Sequence, residues 1–297
     1  MDFAEEIASI EQNFNDISFS LMMFIKAGNR AIEDATNKRN DVLRKLESFA
    51  TLPDDAKLKL EINRNSEDAA SFTILAEGEN NKLTVFREGT NYDATNLNDD
   101  VNIQAKGNSF SLSPKDIILM QTILKEYNRS LTSQPEILFS MSFIYLIAVF
   151  DAFIVDILTA VLKKKPEILK GVNEKLTYKE VIELNLSGDL INKLVEKEIN
   201  RFGYESIKEQ VKYIKDRLGI DIEDSGATVD ELAEIREIRN ILVHNSGSVN
   251  TIFLNNVNNS SYKLRDKIQI TPEVWEQAKD KLSKVVDYLY EEIKTKF

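Results

Sequence analysis

One uninterrupted apolar segment, residues 137–162, constrains the fold more than any other part of this sequence. It reads ILFSMSFIYLIAVFDAFIVDILTAVL and is long enough to cross a bilayer. Asp151 would then lie near the middle of the span, where a carboxylate costs roughly 2.5–3.5 kcal/mol on insertion scales, and Asp156 would follow closely. A helix buried on nearly all sides of a soluble bundle explains the same composition. We therefore predict a core helix and no membrane partner.

Hydrophobic periodicity predicts helices on both sides of a short stretch with strand character. Helices are expected over residues 2–14 and about 18–48, separated by a cap near Asn15 and Asp16. Segments such as KLKLEINRN and KLTVFREG alternate apolar and polar residues between Gly- and Asn-rich turns, which predicts a small antiparallel sheet over residues 50–113. The predicted fold is mainly α, with N-terminal helices (1–49), that sheet (50–113) and a C-terminal helical bundle (114–297), hence α+β overall.

Within the C-terminal region, shorter amphipathic helices are expected at about 177–184, 189–200, 205–218 and 228–244. A last helix is expected to begin at Thr271-Pro272-Glu273, which supplies a cap, a first-turn proline and an acid in that order. The tripeptide Asn245-Ser246-Gly247 is interpreted as a helix stop in which Gly247 takes a positive φ.

Charge and composition exclude some functions and favour a location. The chain has no cysteine, so it has neither disulfides nor thiolate nucleophiles, and this fits a reducing cytoplasm. The N-terminus, MDFAEEIASIEQ, lacks the basic and apolar regions of a signal peptide. The net charge of −11 argues against a protein that coats DNA or RNA, because such binding depends on many basic contacts to phosphates. Any nucleic-acid chemistry must use a local site.

The segment EIREIRNILVHNSGS (234–248) carries the only histidine, His244. On a helical wheel, Arg236, Asn240 and His244 form one ridge opposite an apolar face. Arg239 lies between the two faces, and its five-residue offset from His244 leaves the two side chains about 140° apart. Unwinding of the helix end, the reach of arginine or a second subunit could bring the two groups together.

These residue types suit cleavage of a phosphodiester. An imidazole can remove a proton from a ribose 2′-hydroxyl or donate one to the departing 5′-oxygen. A guanidinium can hold the phosphate oxygens and stabilise the charge of the transition state, and an asparagine can orient either group. No cofactor or metal is required. Because the chain has one histidine, a separate acid and base would need two copies of His244 across a dimer axis.

The hexapeptide RNILVH (239–244) resembles the Arg, polar residue, three variable residues, His signature of HEPN domains. Its surroundings, ELAEIREIRNILVHNSGSVN and DKIQITPEVWEQAKDKLSKVVDYL, look like the final third of the bacterial RiboL-PSP-HEPN-like group, which is often associated with RNA-processing and defence loci. The segment SFIYLIAVFDAFIVDIL resembles the long early helix of that domain. The resemblance covers about residues 115–297, whereas residues 1–114 resemble no family that we can name.

This resemblance implies a metal-independent endoribonuclease that works as a homodimer on an RNA substrate. Arg239 and His244 would be the catalytic pair, with Asn240 as a polar helper. Asp151 would occupy the acidic position of the early helix and need a cationic partner, for which Arg239 and Arg236 are the candidates. A toxin or anti-phage defence effector of this kind could also have a neutralising antitoxin or a partner in a defence complex.

Less specific interpretations stay open for each of these residues. His244 could simply cap the carbonyl end of its helix, Arg239 could serve a structural ion pair, and Asn240 could be an exposed polar residue without a catalytic role. At the level of the protein, the alternatives are a catalytically inactive HEPN protein that binds nucleotide or RNA or acts as a scaffold, and a helical structural dimer.

Overall fold

The computed structural model describes residues 2–52, 58–66, 69–76, 82–88, 109–112, 114–171, 177, 181–182, 189–257 and 261–297. Its α-helices are α1 (Phe3–Ala50), α2 (Pro114–Thr132), α3 (Gln134–Lys164), α4 (Leu190–Tyr204), α5 (Ile207–Leu218), α6 (Val229–His244), α7 (Thr251–Asn256) and α8 (Pro272–Lys296). Short 3-10 helices occupy Pro166–Gly171 and Ile222–Ser225. The strands are β1 (Leu58–Ser66), β2 (Ala69–Ala76), β3 (Lys82–Glu88) and β4 (Ser109–Leu112).

The chain is organised into two compact units. Unit 1 combines residues 1–28 with 136–297, and unit 2 is residues 29–135. The predicted regions 1–49, 50–113 and 114–297 have other boundaries. The difference arises because α1 passes through the boundary at Gly28 as one continuous helix.

The predicted helix break near Asn15 and Asp16 is wrong. Helix α1 runs for 48 residues without interruption. The side-chain amide of Asn15 donates a hydrogen bond of 2.7 Å to the carboxylate of Glu11, one turn earlier, so Asn15 lies within a continuing helix and caps none. Ile7, Phe14 and Ile25 are all buried along this helix. A single apolar face therefore continues past the polar pair.

Unit 1 has one buried core, to which α3 and α8 contribute most. The phenyl ring of Phe14 on α1 packs edge-on against Phe150 of α3 at 6.4 Å and in a tilted arrangement against Phe153 at 5.9 Å. Such aromatic pairs add to the stabilisation from burial. Trp275 of α8, the only tryptophan, is 2 % exposed in the same core. The interior of unit 1 is therefore built by helices packing on helices.

Helix α3 is the predicted apolar helix, and most of its central side chains are buried. Among the described residues it alone is long and apolar enough to cross a membrane, and 56 % of its most apolar window is buried inside the protein. One side remains uncovered: Ile137, Met141 and Tyr145 are between 53 % and 66 % exposed. Burial of this extent is what a core helix of a bundle shows, and the uncovered side is a distinct apolar surface.

Helices and strands both occur in unit 2. Leu46 and Phe49 of α1 form a small buried cluster with Ile117 of α2. The strands pair antiparallel in the order β3-β2-β1-β4, with Leu60 of β1 opposite Ile74 of β2. Residues 89–108 of the predicted sheet region lie outside the described residues.

The predicted class, α+β overall, is wrong, and the described chain is mainly α. An α+β class requires a β layer that packs against the helices to form a core. Among the residues whose side chains the structure describes, both buried clusters consist of residues from helices and the loops that join them. Alternation in the sequence predicts local backbone pairing, whereas the class depends on the elements that bury the core.

The later helices follow local sequence signals. The helices predicted at 189–200, 205–218 and 228–244 are confirmed as α4, α5 and α6. Thr271 caps α8 and accepts a hydrogen bond from the backbone N–H of Val274, with Pro272 at the first position, as predicted. The helix expected at about 177–184 falls mostly outside the described residues.

Candidate functional site

Helix α6 carries the histidine motif and has well-defined ends. At its start, the Thr228 hydroxyl accepts a hydrogen bond from the backbone N–H of Glu231, and the Glu231 carboxylate accepts one from the backbone N–H of Thr228. This reciprocal pair is a capping box. Ile235, Ile238 and Ile241 lie on the buried face of the helix. Together these features fix the direction in which the opposite, polar ridge points.

The acid of α3 and the first arginine of the ridge form a direct ion pair. The Nη2 atom of Arg236 lies 3.1 Å from Oδ1 of Asp151, and the side chains are 19 % and 34 % exposed, respectively. Of the two candidate partners of Asp151, Arg236 is therefore the one that pairs with it. Burial raises the pKa of Asp151, and the positive charges of Arg236 and Arg239 partly oppose this rise.

A buried glutamine on α5 holds the other side of the same guanidinium. Nη1 of Arg236 donates a hydrogen bond of 2.9 Å to the side-chain oxygen of Gln210, and it lies 3.5 Å from the backbone carbonyl oxygen of Glu205. Gln210 is 4 % exposed, and its amide nitrogen donates to the carbonyl oxygen of Phe202 at 2.9 Å. Arg236 thus links α3, α5 and α6. No sequence pattern indicates this partner, because only the tertiary fold brings Gln210 near Arg236.

Arg239 is not committed to an acid in the described structure. Its Nη1 atom donates a hydrogen bond of 3.3 Å to the side-chain oxygen of Asn240. Its Nε atom is buried and has no hydrogen-bond partner among the described residues. The positive charge of Arg239 acts to lower the pKa of Asp151, although no ion pair joins the two among the described contacts. Since Arg236 provides the ion pair with Asp151, the guanidinium of Arg239 forms no ion pair with an acid among the described residues.

His244 is the last residue of α6, and its side chain is exposed. It makes no hydrogen bond or ion pair with a described residue, and none of the described contacts joins it to Arg239. The helix keeps its regular geometry through His244 and ends only afterwards, where Ser246 and Gly247 have φ values of 49° and 76°. The predicted positive φ of Gly247 is confirmed. Unwinding therefore does not reduce the angular offset between Arg239 and His244 within one chain.

A short bridge, which no sequence pattern predicted, connects the end of α6 to a later loop. Ser248 pairs with Lys267 in an isolated antiparallel bridge. The backbone N–H of Ile268 donates to the carbonyl oxygen of Gly247 at 2.9 Å, and the ammonium of Lys267 donates to the carbonyl oxygen of Ser246. Residues 263–267 are therefore held by hydrogen bonds against the segment that follows His244 in the chain.

Two further findings concern metal binding by this chain and its similarity to known proteins. Within the part of the chain that the structure describes, no group of three or more His, Cys, Asp or Glu side chains could hold a metal ion. No protein-family model, no curated protein and no solved structure matches this chain. The similarity to HEPN domains therefore depends on the motif and flanking segments quoted above.

Proposed function

We propose that this protein is a metal-independent endoribonuclease of the HEPN type. The observation that carries the proposal is that the two arginines of α6 have different partners. Arg236 provides the ion pair with Asp151, so Arg239 is not held by an acid, and five residues later His244 presents an exposed imidazole with no described partner. An anion-binding cation and a general acid or base on one surface helix suit phosphodiester cleavage.

The proposed reaction is a transfer within the RNA strand. The imidazole of His244 accepts the proton of a ribose 2′-hydroxyl, and the 2′-oxygen forms a bond to the adjacent phosphorus. The bond from phosphorus to the 5′-oxygen breaks, and a second acid protonates that oxygen, which leaves a 2′,3′-cyclic phosphate and a 5′-hydroxyl. Arg239 stabilises the charge on the non-bridging oxygens, and Asn240 orients the Arg239 guanidinium through their hydrogen bond.

A second copy of the chain would supply the second acid. Because α6 stays regular, the angular offset between Arg239 and His244 persists in one protomer, and we propose that a homodimer composes the complete cleft. Unit 1 has an exposed apolar surface on α1 and α3 that supports self-association. We call it the α1/α3 face, and it comprises Phe19, Met23, Phe24, Ile137, Met141 and Tyr145.

Cleavage of a labelled RNA in the presence of EDTA tests the proposal. His244→Ala should slow cleavage by about 10²–10⁴-fold and Arg239→Ala by about 10²–10³-fold, as expected for loss of a general acid–base and of an oxyanion donor. The matched control is Lys193→Ala, which removes an exposed cation from α4. Both site variants should keep the wild-type melting temperature. Unchanged cleavage in either of them, or cleavage that EDTA abolishes, would contradict the mechanism.

The angular offset also supports a second candidate, a HEPN protein that binds RNA or nucleotide without cleaving it. If two copies do not unite Arg239 with His244, the exposed ridge would still provide an anion-binding surface. Retained RNA binding by a wild type that does not cleave RNA would favour this function.

We further propose that the protein is a cytoplasmic toxin or defence effector. Expression of the wild type should then slow bacterial growth, and expression of His244→Ala should not.

A further inference from the structure

The loop behind His244 contains a tight turn with an arginine in a costly conformation. The backbone N–H of Asp266 donates to the carbonyl oxygen of Lys263 at 3.0 Å, which closes a four-residue turn. Arg265, at the third position, has a φ of +72°. Glycine adopts this left-handed conformation without a steric penalty, whereas other residues are strained in it. Residues held in such conformations cluster at functional sites, so the arginine calls for an explanation.

Four main-chain and side-chain contacts fix the orientation of this turn. The carboxylate of Asp266 accepts a hydrogen bond of 2.7 Å from the backbone N–H of Lys263. The backbone N–H of Arg265 donates to the carbonyl oxygen of Val249 at 2.9 Å, and the N–H of Val249 donates to the carbonyl oxygen of Asp266 at 2.9 Å. The bridge between Ser248 and Lys267 completes the attachment. The turn is therefore fixed against the segment that directly follows His244.

The turn presents positive charge to solvent. Lys263, Arg265 and Lys267 are all exposed, and none of them forms an ion pair with a described residue. The carboxylate of Asp266 accepts a hydrogen bond from the backbone N–H of Lys263 and is the one acid in this segment, so residues 263–267 keep a net charge of +2. Leu264, between the first two cations, is 51 % exposed. In a chain with a net charge of −11, these three exposed cations form a local cationic surface on a loop that is bonded to residues 246–249, which follow the only histidine in the sequence.

We propose that Lys263, Arg265 and Lys267 bind the phosphates of a single RNA strand that flank the linkage at His244. This inference rests on the proposed ribonuclease function and adds a substrate-binding surface to it. Contacts of this kind position a strand without reading its sequence. Such a surface would also explain how a strongly acidic protein can bind an anionic substrate, because the strand would contact only this positively charged segment.

Arg265→Gly is the decisive variant, since glycine relieves the backbone strain while it removes the cation. Its melting temperature should not fall, so a loss of binding cannot be attributed to unfolding. Arg265→Lys retains the charge, and Lys193→Ala is the control for removing a distant exposed cation. All variants are made in the full-length His244→Ala protein, and binding of a fluorescent single-stranded RNA is followed by anisotropy at several salt concentrations.

We expect Arg265→Gly to weaken binding roughly three- to tenfold at low salt and to lower the slope of log Kd against log salt by about 0.7, the value for one phosphate contact on a single strand. Arg265→Lys should retain most of the affinity, and Lys193→Ala should bind normally. An unchanged affinity and slope in Arg265→Gly, or no RNA binding by the parent protein, would overturn the proposed surface.

The two proposals fail in distinguishable ways. RNA binding that depends on Arg265 in a wild type that does not cleave RNA would refute the nuclease and retain the surface. Cleavage that depends on His244, together with binding that is indifferent to Arg265, would refute the surface and retain the nuclease.

Discussion

Replacement of Arg236 by methionine tests whether the ion pair with Asp151 holds α3 against α6. Loss of one partner from a fully buried pair costs about 3–5 kcal/mol, because the remaining charge is left uncompensated. Asp151 is 34 % exposed, so solvent screens part of this cost. The variant also loses the hydrogen bond to Gln210, which is itself buried. We expect the free energy of unfolding to fall by about 2–3 kcal/mol at pH 7.

The same variant should show a distinctive dependence on pH. Burial raises the pKa of Asp151, and Arg236 opposes that rise, so removal of Arg236 should raise the pKa further. A group whose pKa is higher in the folded state favours folding below its unfolded pKa, and this contribution is lost as pH rises through the folded pKa. The deficit of Arg236→Met relative to wild type should therefore be smaller near pH 4, where the loss of the contact with Gln210 remains, and grow toward pH 7 as Asp151 ionises.

Urea unfolding followed by the fluorescence of Trp275 measures this effect within unit 1, because Trp275 is the only tryptophan and lies in its core. The control is Lys193→Met, which breaks an exposed ion pair with Glu196 and should cost less than about 1 kcal/mol. A deficit of Arg236→Met that matches this control, or one that stays constant between pH 4 and pH 7, would show that Arg236 does not stabilise the charged form of Asp151.

Three further perturbations have expected outcomes. Gly247→Ala should lower the unfolding free energy by about 1 kcal/mol or more, because φ is 76° and the added Cβ would lie 3.2 Å from the carbonyl oxygen of Ile268; equal thermal melts would contradict this. Phe14→Ala should cost about 3–5 kcal/mol in urea unfolding, because its ring is 1 % exposed, and a loss below 1 kcal/mol would show that the contacts of α1 with α3 are dispensable. Met141→Glu combined with Tyr145→Glu should convert a dimer into a monomer in light scattering, whereas a persistent dimer would exclude the α1/α3 face as its interface.

Local signals predicted a large part of the fold. Two helix ends could be predicted because caps and turns depend on neighbouring residues: the start of α8 at Thr271-Pro272 and the end of α6 at Asn245-Ser246-Gly247. The continuity of α1 was not readable, because Asn15 can either cap a helix or bond to Glu11 within one. The α+β class failed because periodicity reports the pairing of strands, and burial against helices is a tertiary property.

The candidate site was predictable only in part, for the same reason. The ridge of Arg236, Asn240 and His244 follows from helical spacing alone, whereas the choice of Arg236 over Arg239 as the partner of Asp151 depends on how α3 and α6 pack. The conformation of Arg265 had no signal at all, since the sequence has no glycine where the turn takes a positive φ.

The exposed imidazole of His244 can serve as a natural spectroscopic probe of the end of α6. With no other imidazole in the chain, the aromatic Cε1–H signal of this residue stands alone in a proton–carbon correlation spectrum and needs no assignment. Solvent access also means that diethyl pyrocarbonate has a single imidazole to acylate. Any molecule that settles on the end of α6 can therefore be detected as a shifted resonance or as protection from one chemical label.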